Sequence, residues 1–143
     1  MGLKRIAFAS FFIAYLGAAA TIAIFAQENP AGPRQLFSAP LADMPGKQLV
    51  VVELKLPPRQ EGRPPSPGHR HPGSVWVYVT EGVARLGLAG EPVREVKAGE
   101  SFFEPVGAVH TVTQSASTTE PATAIAVMIV PDGAPLVSAE PAK

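Results

Sequence analysis

The chain has 143 residues, enough for one ordinary domain, and 46% apolar residues, enough to build a core. Twelve basic residues balance twelve acidic ones without a run of either sign, which argues against a nucleic-acid partner. The absence of cysteine excludes disulfides, thiolate metal ligands and cysteine nucleophiles.

Lys4 and Arg5 precede an uncharged, largely apolar stretch from Ile6 to Ala26. With no polar face along its length, this is the pattern of an export segment in the form of an apolar helix. Ala26 before Gln27 offers a small residue for cleavage of a signal peptide. Left uncleaved, the stretch is long enough to anchor the chain in a bilayer, which takes about 20 apolar residues. Either course places the domain outside the cytoplasm, periplasmic or extracellular, and gives the membrane a role only through residues 1–26. Residues 27–33 read as a linker, 34–137 as the domain and 138–143 as a tail.

Within the domain, Leu36 and Phe37 suggest a short first strand, and Gln48 to Leu56 (QLVVVELKL) is branched and partly alternating, as a strand requires. Pro57 to Gly68 holds five prolines, which forbid a regular ladder, so this segment is a loop that delivers the chain to His69. Ser74–Thr80, Val83–Leu88, Pro92–Lys97, Ser101–Glu104, Ala108–Gln114 and Ala122–Val130 are strand-like and separated by glycine and proline turns. The last of them is apolar on both faces and is expected to be central. Short strands at regular intervals, without a long 3.6-residue apolar period, predict an all-β sandwich or barrel.

The chain has only three histidines. His69 and His71 are two apart, so on extended backbone both rings project from one face. His110 lies in a later strand-like run, where hairpin pairing can bring it to the same face. Three imidazoles suit one divalent transition ion, with iron, manganese, zinc, nickel and copper not distinguished by the sequence. An isolated HxH pair is weak evidence, because a histidine near strands is more often a hydrogen-bonded residue than a ligand.

Spacing on both sides strengthens the case. His69-Arg70-His71, then Pro72-Gly73-Ser74, Val75, six residues and Gly82 resemble the first motif of the cupin superfamily. Gly99, five residues, Pro105-Val106-Gly107, two residues and His110 resemble the second, without a gap. The resemblance covers roughly Leu49 to Val130 and implies a double-stranded β-helix, the jelly-roll barrel of cupins, with the histidines meeting at a metal inside the barrel mouth. It also implies functions ranging from dioxygenases, decarboxylases, isomerases and hydrolytic members to non-catalytic binding modules for metal or small molecules. A metal-dependent, dioxygenase-like oxidoreductase acting on a small molecule is the leading enzymatic expectation, and fold and site alone do not choose among these. Cupin resemblance, exposed barrel edges and the apolar Leu36-Phe37 stretch also suggest a homodimer.

The sequence departs from the pattern at the first-motif glutamate, which falls at Val75. Smaller departures are Gln114 in place of a closing Asn and Arg63 in place of a leading Gly, with Gly62 one place off. Glu104, directly before Pro105, is the candidate compensation: if it enters the barrel it faces the metal, as a replacement oxygen ligand or as a general base. The alternative is a solvated glutamate at the rim. Strand alternation puts Trp76 and Tyr78 on one face and Val75, Val77 and Val79 on the other, and turns Arg70 away from the ring side of its two neighbours.

Overall fold

A computed structural model describes residues 32–62 and 68–140. The apolar stretch 6–26, with the helix expected there, and Arg63 lie outside the described residues.

Among the described residues there are ten strands and no helix. They are β1 (Arg34–Pro40), β2 (Lys47–Leu56), β3 (His69–Arg70), β4 (Val75–Glu81), β5 (Val83–Leu88), β6 (Arg94–Lys97), β7 (Ser101–Glu104), β8 (His110–Ser115), β9 (Ala122–Pro131) and β10 (Ser138–Ala139). The first sheet has the order β1-β2-β9-β4-β7 and the second β10-β3-β8-β5-β6, antiparallel throughout.

Alternation builds the core. On β2, Val50, Val52 and Leu56 turn inward; on β4, Val75, Val77 and Val79; on β9, Ala122, Ala124, Ala126, Met128 and Val130. Leu86, Leu88 and Val96 from the second sheet close on them. Each fully buried Val or Leu contributes about 1.5–3 kcal/mol of transfer free energy, so this interior supplies most of the drive to fold. Alanines on the central strand keep the two sheets close.

β9 is central, between β2 and β4, but only one of its apolar faces enters the core. The other carries Ile125, Val127 and Ile129 toward the outside, with no second layer over it among the described residues.

Two glycines hold places no other residue fits. Gly82 joins β4 to β5 at φ 70°, and a Cβ there would stand 2.9 Å from the Pro121 carbonyl oxygen. Gly73 lies so close to β9 that a Cβ would meet the Ile129 carbonyl oxygen at 1.9 Å. This close approach draws the His71 end of the first motif onto the sheet.

The second sheet extends past Val137, which the sequence had suggested as the domain's end. Ser138 and Ala139 pair with Arg70 and His69, and the Arg70 guanidinium holds the Glu140 carboxylate at 2.6 Å. A two-residue strand is too short for alternation to reveal, so the supposed tail begins as part of the second sheet.

Candidate metal centre

His69 lies on β3, directly opposite His110 of β8 in the ladder. The ring centroids of His69 and His110 are 5.1 Å apart, and those of His69 and His71 are 5.0 Å apart. One nitrogen from each ring belongs to a donor group whose atoms all lie within 4.8 Å of one another. Two metal–nitrogen bonds of about 2.1 Å span at most about 4.2 Å, so small ring rotations bring the set onto one ion. His110 is buried, while His69 and His71 are half-buried.

Backbone geometry fixes one ring unambiguously. Nδ1 of His71 lies 2.7 Å from the carbonyl oxygen of Leu136. A carbonyl only accepts, so Nδ1 carries the proton and Nε2 keeps its lone pair for a metal. Burial is the largest influence on His69 and pushes its pKa below the usual 6.5, and positive charge on His110 or His71 would push it the same way. The neutral form, which a ligand needs, is thereby favoured.

Glu104 enters the barrel. It is 3% exposed, with Oε2 3.3 Å from Nδ1 of His110 and 3.7 Å from Nε2 of His71. A buried carboxylate is costly unless paired, and the nearest possible donor here is Nδ1 of His110, since Nε2 of His71 keeps its lone pair. In the ladder between β4 and β7, Glu104 sits opposite Val75, the position where the cupin pattern expects its glutamate.

Arg70 turns outward between the two histidines. Besides Glu140, its guanidinium donates to the carbonyl oxygen of Gly107 in the Pro-Val-Gly turn. One side chain therefore ties together the first motif, the second motif and the C-terminal segment.

Two contributors escaped the sequence. The Leu136 carbonyl carries no side-chain signature at all. Thr113 places its hydroxyl 3.1 Å from Nε2 and 3.3 Å from Nδ1 of His110. Strict alternation would put Thr113 on the opposite face from His110, but the register of β5 and β8 slips between Gly87 and Leu88, and Thr111 is the bulged residue. The bulge returns Thr113 to the inner side.

An all-β barrel with a compact three-histidine donor set and a buried carboxylate beside it defines a class: jelly-roll barrels equipped to hold a metal ion. The Cupin domain family matches residues 55–128, a little over half of the chain and the whole span between the two motifs. The chain belongs to that family. None of the curated proteins matches it.

Among solved structures, an uncharacterized double-stranded β-helix protein from Klebsiella pneumoniae is 23% identical with a TM-score of 0.55, covering 78% of this chain and 88% of that one. A cupin-like protein from Thermotoga maritima is 21% identical with a TM-score of 0.51, covering 76% and 74%. The DMSP lyase DddQ from Ruegeria pomeroyi is 22% identical with a TM-score of 0.52, covering 64% of this chain and 42% of that one. This chain thus spans less than half the length of the lyase. All three likenesses show the fold.

Proposed function

We propose that the chain is an exported, metal-dependent oxidoreductase of dioxygenase-like type that acts on a small molecule at the three-histidine site. The observation that carries this reading is the donor set of His69, His71 and His110 within 4.8 Å, with the buried Glu104 carboxylate beside it. A bound iron, manganese or copper ion would supply dioxygen activation or Lewis acidity there.

The protein's own groups would do the rest. His69, His71 and His110 hold the ion, and the Leu136 carbonyl keeps His71 in the tautomer that presents Nε2. Glu104 completes the set as an oxygen ligand, taking over from the position of Val75, or holds a proton at Oε2 as a general base. Val75, Phe102 and Leu88 exclude water from the inner side. Three or four protein ligands leave room for a substrate with two adjacent oxygen donors. Export rests on Lys4, Arg5 and the apolar stretch that follows them.

The test is metal analysis of the purified protein followed by oxygen uptake with small oxygen chelators, such as catechols and 2-hydroxy acids. Redox-active metal with substrate-dependent uptake is the expected result. Tightly held zinc without turnover would instead assign the site to a non-catalytic metal- or small-molecule-binding module. Cell fractionation tests the export reading separately, and retention in the cytoplasm would overturn it.

A further inference from the structure

Arg94 opens β6 at the end of the barrel that holds the histidines. It stands opposite Leu86 in the ladder with β5, and Leu88, on the same face of β5, stands opposite His110. Val96, two places on, is buried, so alternation turns Arg94 toward the interior and its neighbours Glu95 and Lys97 outward. β6 and β7 are edge strands of the two sheets, and the Arg94 side chain reaches from one to the other. Its guanidinium carbon lies 5.5 Å from the centre of the Phe102 ring.

That ring contact uses one flat side of the guanidinium and leaves its in-plane N–H donors free. Arg34, Arg59 and Arg70 each meet a carboxylate, those of Glu53, Glu61 and Glu140. The Arg94 side chain meets none and makes no hydrogen bond among the described residues. Glu104, the buried acid of the barrel, is turned to His110 instead.

Phe102 links this cation to the metal site. Its buried ring lies 6.4 Å from that of His110, tilted by 23°, so one aromatic ring stands beside both. His110 and Arg94 are two strands and two residues apart, about 12 Å between backbones. The imidazole and the long arginine side chain narrow that gap from both ends, and what remains suits a ligand about one benzene ring long.

Charge completes the description of the ligand. A divalent ion on three neutral imidazoles beside one carboxylate, with Arg94 added, leaves two positive charges in excess. A molecule with one anionic group at its chelating end and another at its far end matches them.

We propose that Arg94 is a specificity-determining residue, which binds the far anionic group of a metal-chelating, doubly charged substrate. The inference rests on reading the three histidines as the substrate's metal site, and it narrows that substrate from small chelators in general to those with a second acid about one ring away. The vicinal oxygens face the histidines, while the far carboxylate accepts paired hydrogen bonds from the guanidinium.

3,4-Dihydroxybenzoate and its methyl ester are the probes. Both carry the same ring and vicinal oxygens, and only the acid carries the far charge. Calorimetric titration of the zinc-loaded full-length protein reads their binding without turnover. The acid should bind about 10–100-fold more tightly than the ester, the range for a hydrogen-bonded contact to a charged group. Arg94→Gln should erase the difference while the protein holds zinc as tightly as before. Arg94→Lys, which restores the charge but not the planar fork, should recover part of the preference. Equal affinity of acid and ester in the unaltered protein, a preference that survives Arg94→Gln, or no binding of either compound overturns the proposal. So does loss of zinc from the Arg94→Gln protein, which would make Arg94 a support of the fold. Oxygen uptake reads the oxidoreductase function separately: its absence with the preference intact removes that function and leaves Arg94 as the anion contact of a binding module.

Discussion

Val75 and Glu104 face each other across the ladder between β4 and β7. One occupies the first-motif position of the cupin glutamate, and the other carries the buried carboxylate that stands against His71 and His110. The acid has in effect crossed one strand while keeping its row. Directly opposed residues in an antiparallel pair have Cβ atoms about 4.5–5.5 Å apart, so a side chain from either position reaches much the same space.

That relationship predicts a transposition. Val75→Glu alone should put two buried carboxylates side by side and destabilise the apo protein by several kcal/mol. Glu104→Val alone should weaken metal binding about 10–100-fold, the cost usual for losing a close carboxylate. The double variant Val75→Glu, Glu104→Val should recover most of both losses. Calorimetric titration with metal and denaturant unfolding of all three measure this. A double variant no better than the sum of its parts would mean that Glu104 has a role specific to its own strand.

Ligand loss should separate the histidines from the carboxylate. His110→Ala removes a buried donor and should empty the site, whereas Glu104→Gln keeps the shape and should retain metal at reduced affinity. If Glu104 is a general base, Glu104→Gln should lower turnover far more than metal content. Metal analysis paired with steady-state rates on the same preparations decides between ligand and base.

pH enters through His69, whose folded pKa lies below the usual 6.5. Below that value the unfolded chain takes up a proton at His69 that the folded apo chain resists, so the unfolded state binds more protons. Apo stability should therefore be full above pH 6.5 and fall as pH drops through the window between the two pKa values. His69→Asn should flatten this part of the profile. Urea midpoints of the metal-free protein between neutral and mildly acidic pH measure it, and an unchanged slope in the variant would place the dependence elsewhere.

Gly73→Ala tests the close approach beside the first motif. The added carbon would sit 1.9 Å from a backbone oxygen of β9, and backbone cannot swing aside as a flexible side chain can. The expected cost is about 1–3 kcal/mol, as for other overpacked sites, together with weaker metal binding as His71 is displaced. Gly90→Ala is the comparison: its Cβ meets nothing, but its φ of 84° imposes backbone strain alone. Only the first substitution should change metal affinity.

Much of the molecule was legible in the residues. Strand β2 and the strands from β4 to β9 announce themselves by branched or alternating residues between glycine and proline turns, and their ends moved by no more than two positions, whereas the two-residue β3 leaves no such pattern. All three histidines could be placed because motif spacing ties them to strands. What stayed hidden depends on register or on backbone atoms. Thr113 faces inward only because Thr111 bulges. Val75 and Glu104 were visible as one gap and one unusual acid, but their opposition belongs to a pairing between strands separated by two others in the chain. The Leu136 carbonyl and the pairing of Ser138 and Ala139 with β3 leave no mark on side-chain pattern at all.

Those hidden contacts make the C-terminal segment part of the candidate metal site. Leu136 fixes the tautomer of His71, β10 pairs with β3 at His69, and Glu140 clamps Arg70, which in turn holds Gly107. Ending the chain after Val137 removes β10 and Glu140 but keeps all three histidines, the core and the Leu136 carbonyl. The barrel should fold, because none of the buried apolar residues is lost. Metal affinity should fall by about tenfold, the lower end for lost outer-shell support, and Arg70→Ala should produce part of the same loss. Arg70→Lys should not restore it, since an ammonium cannot serve Glu140 and Gly107 with a planar fork. Equal metal affinity in the full chain and the truncated one would show that the Leu136 carbonyl alone orients His71.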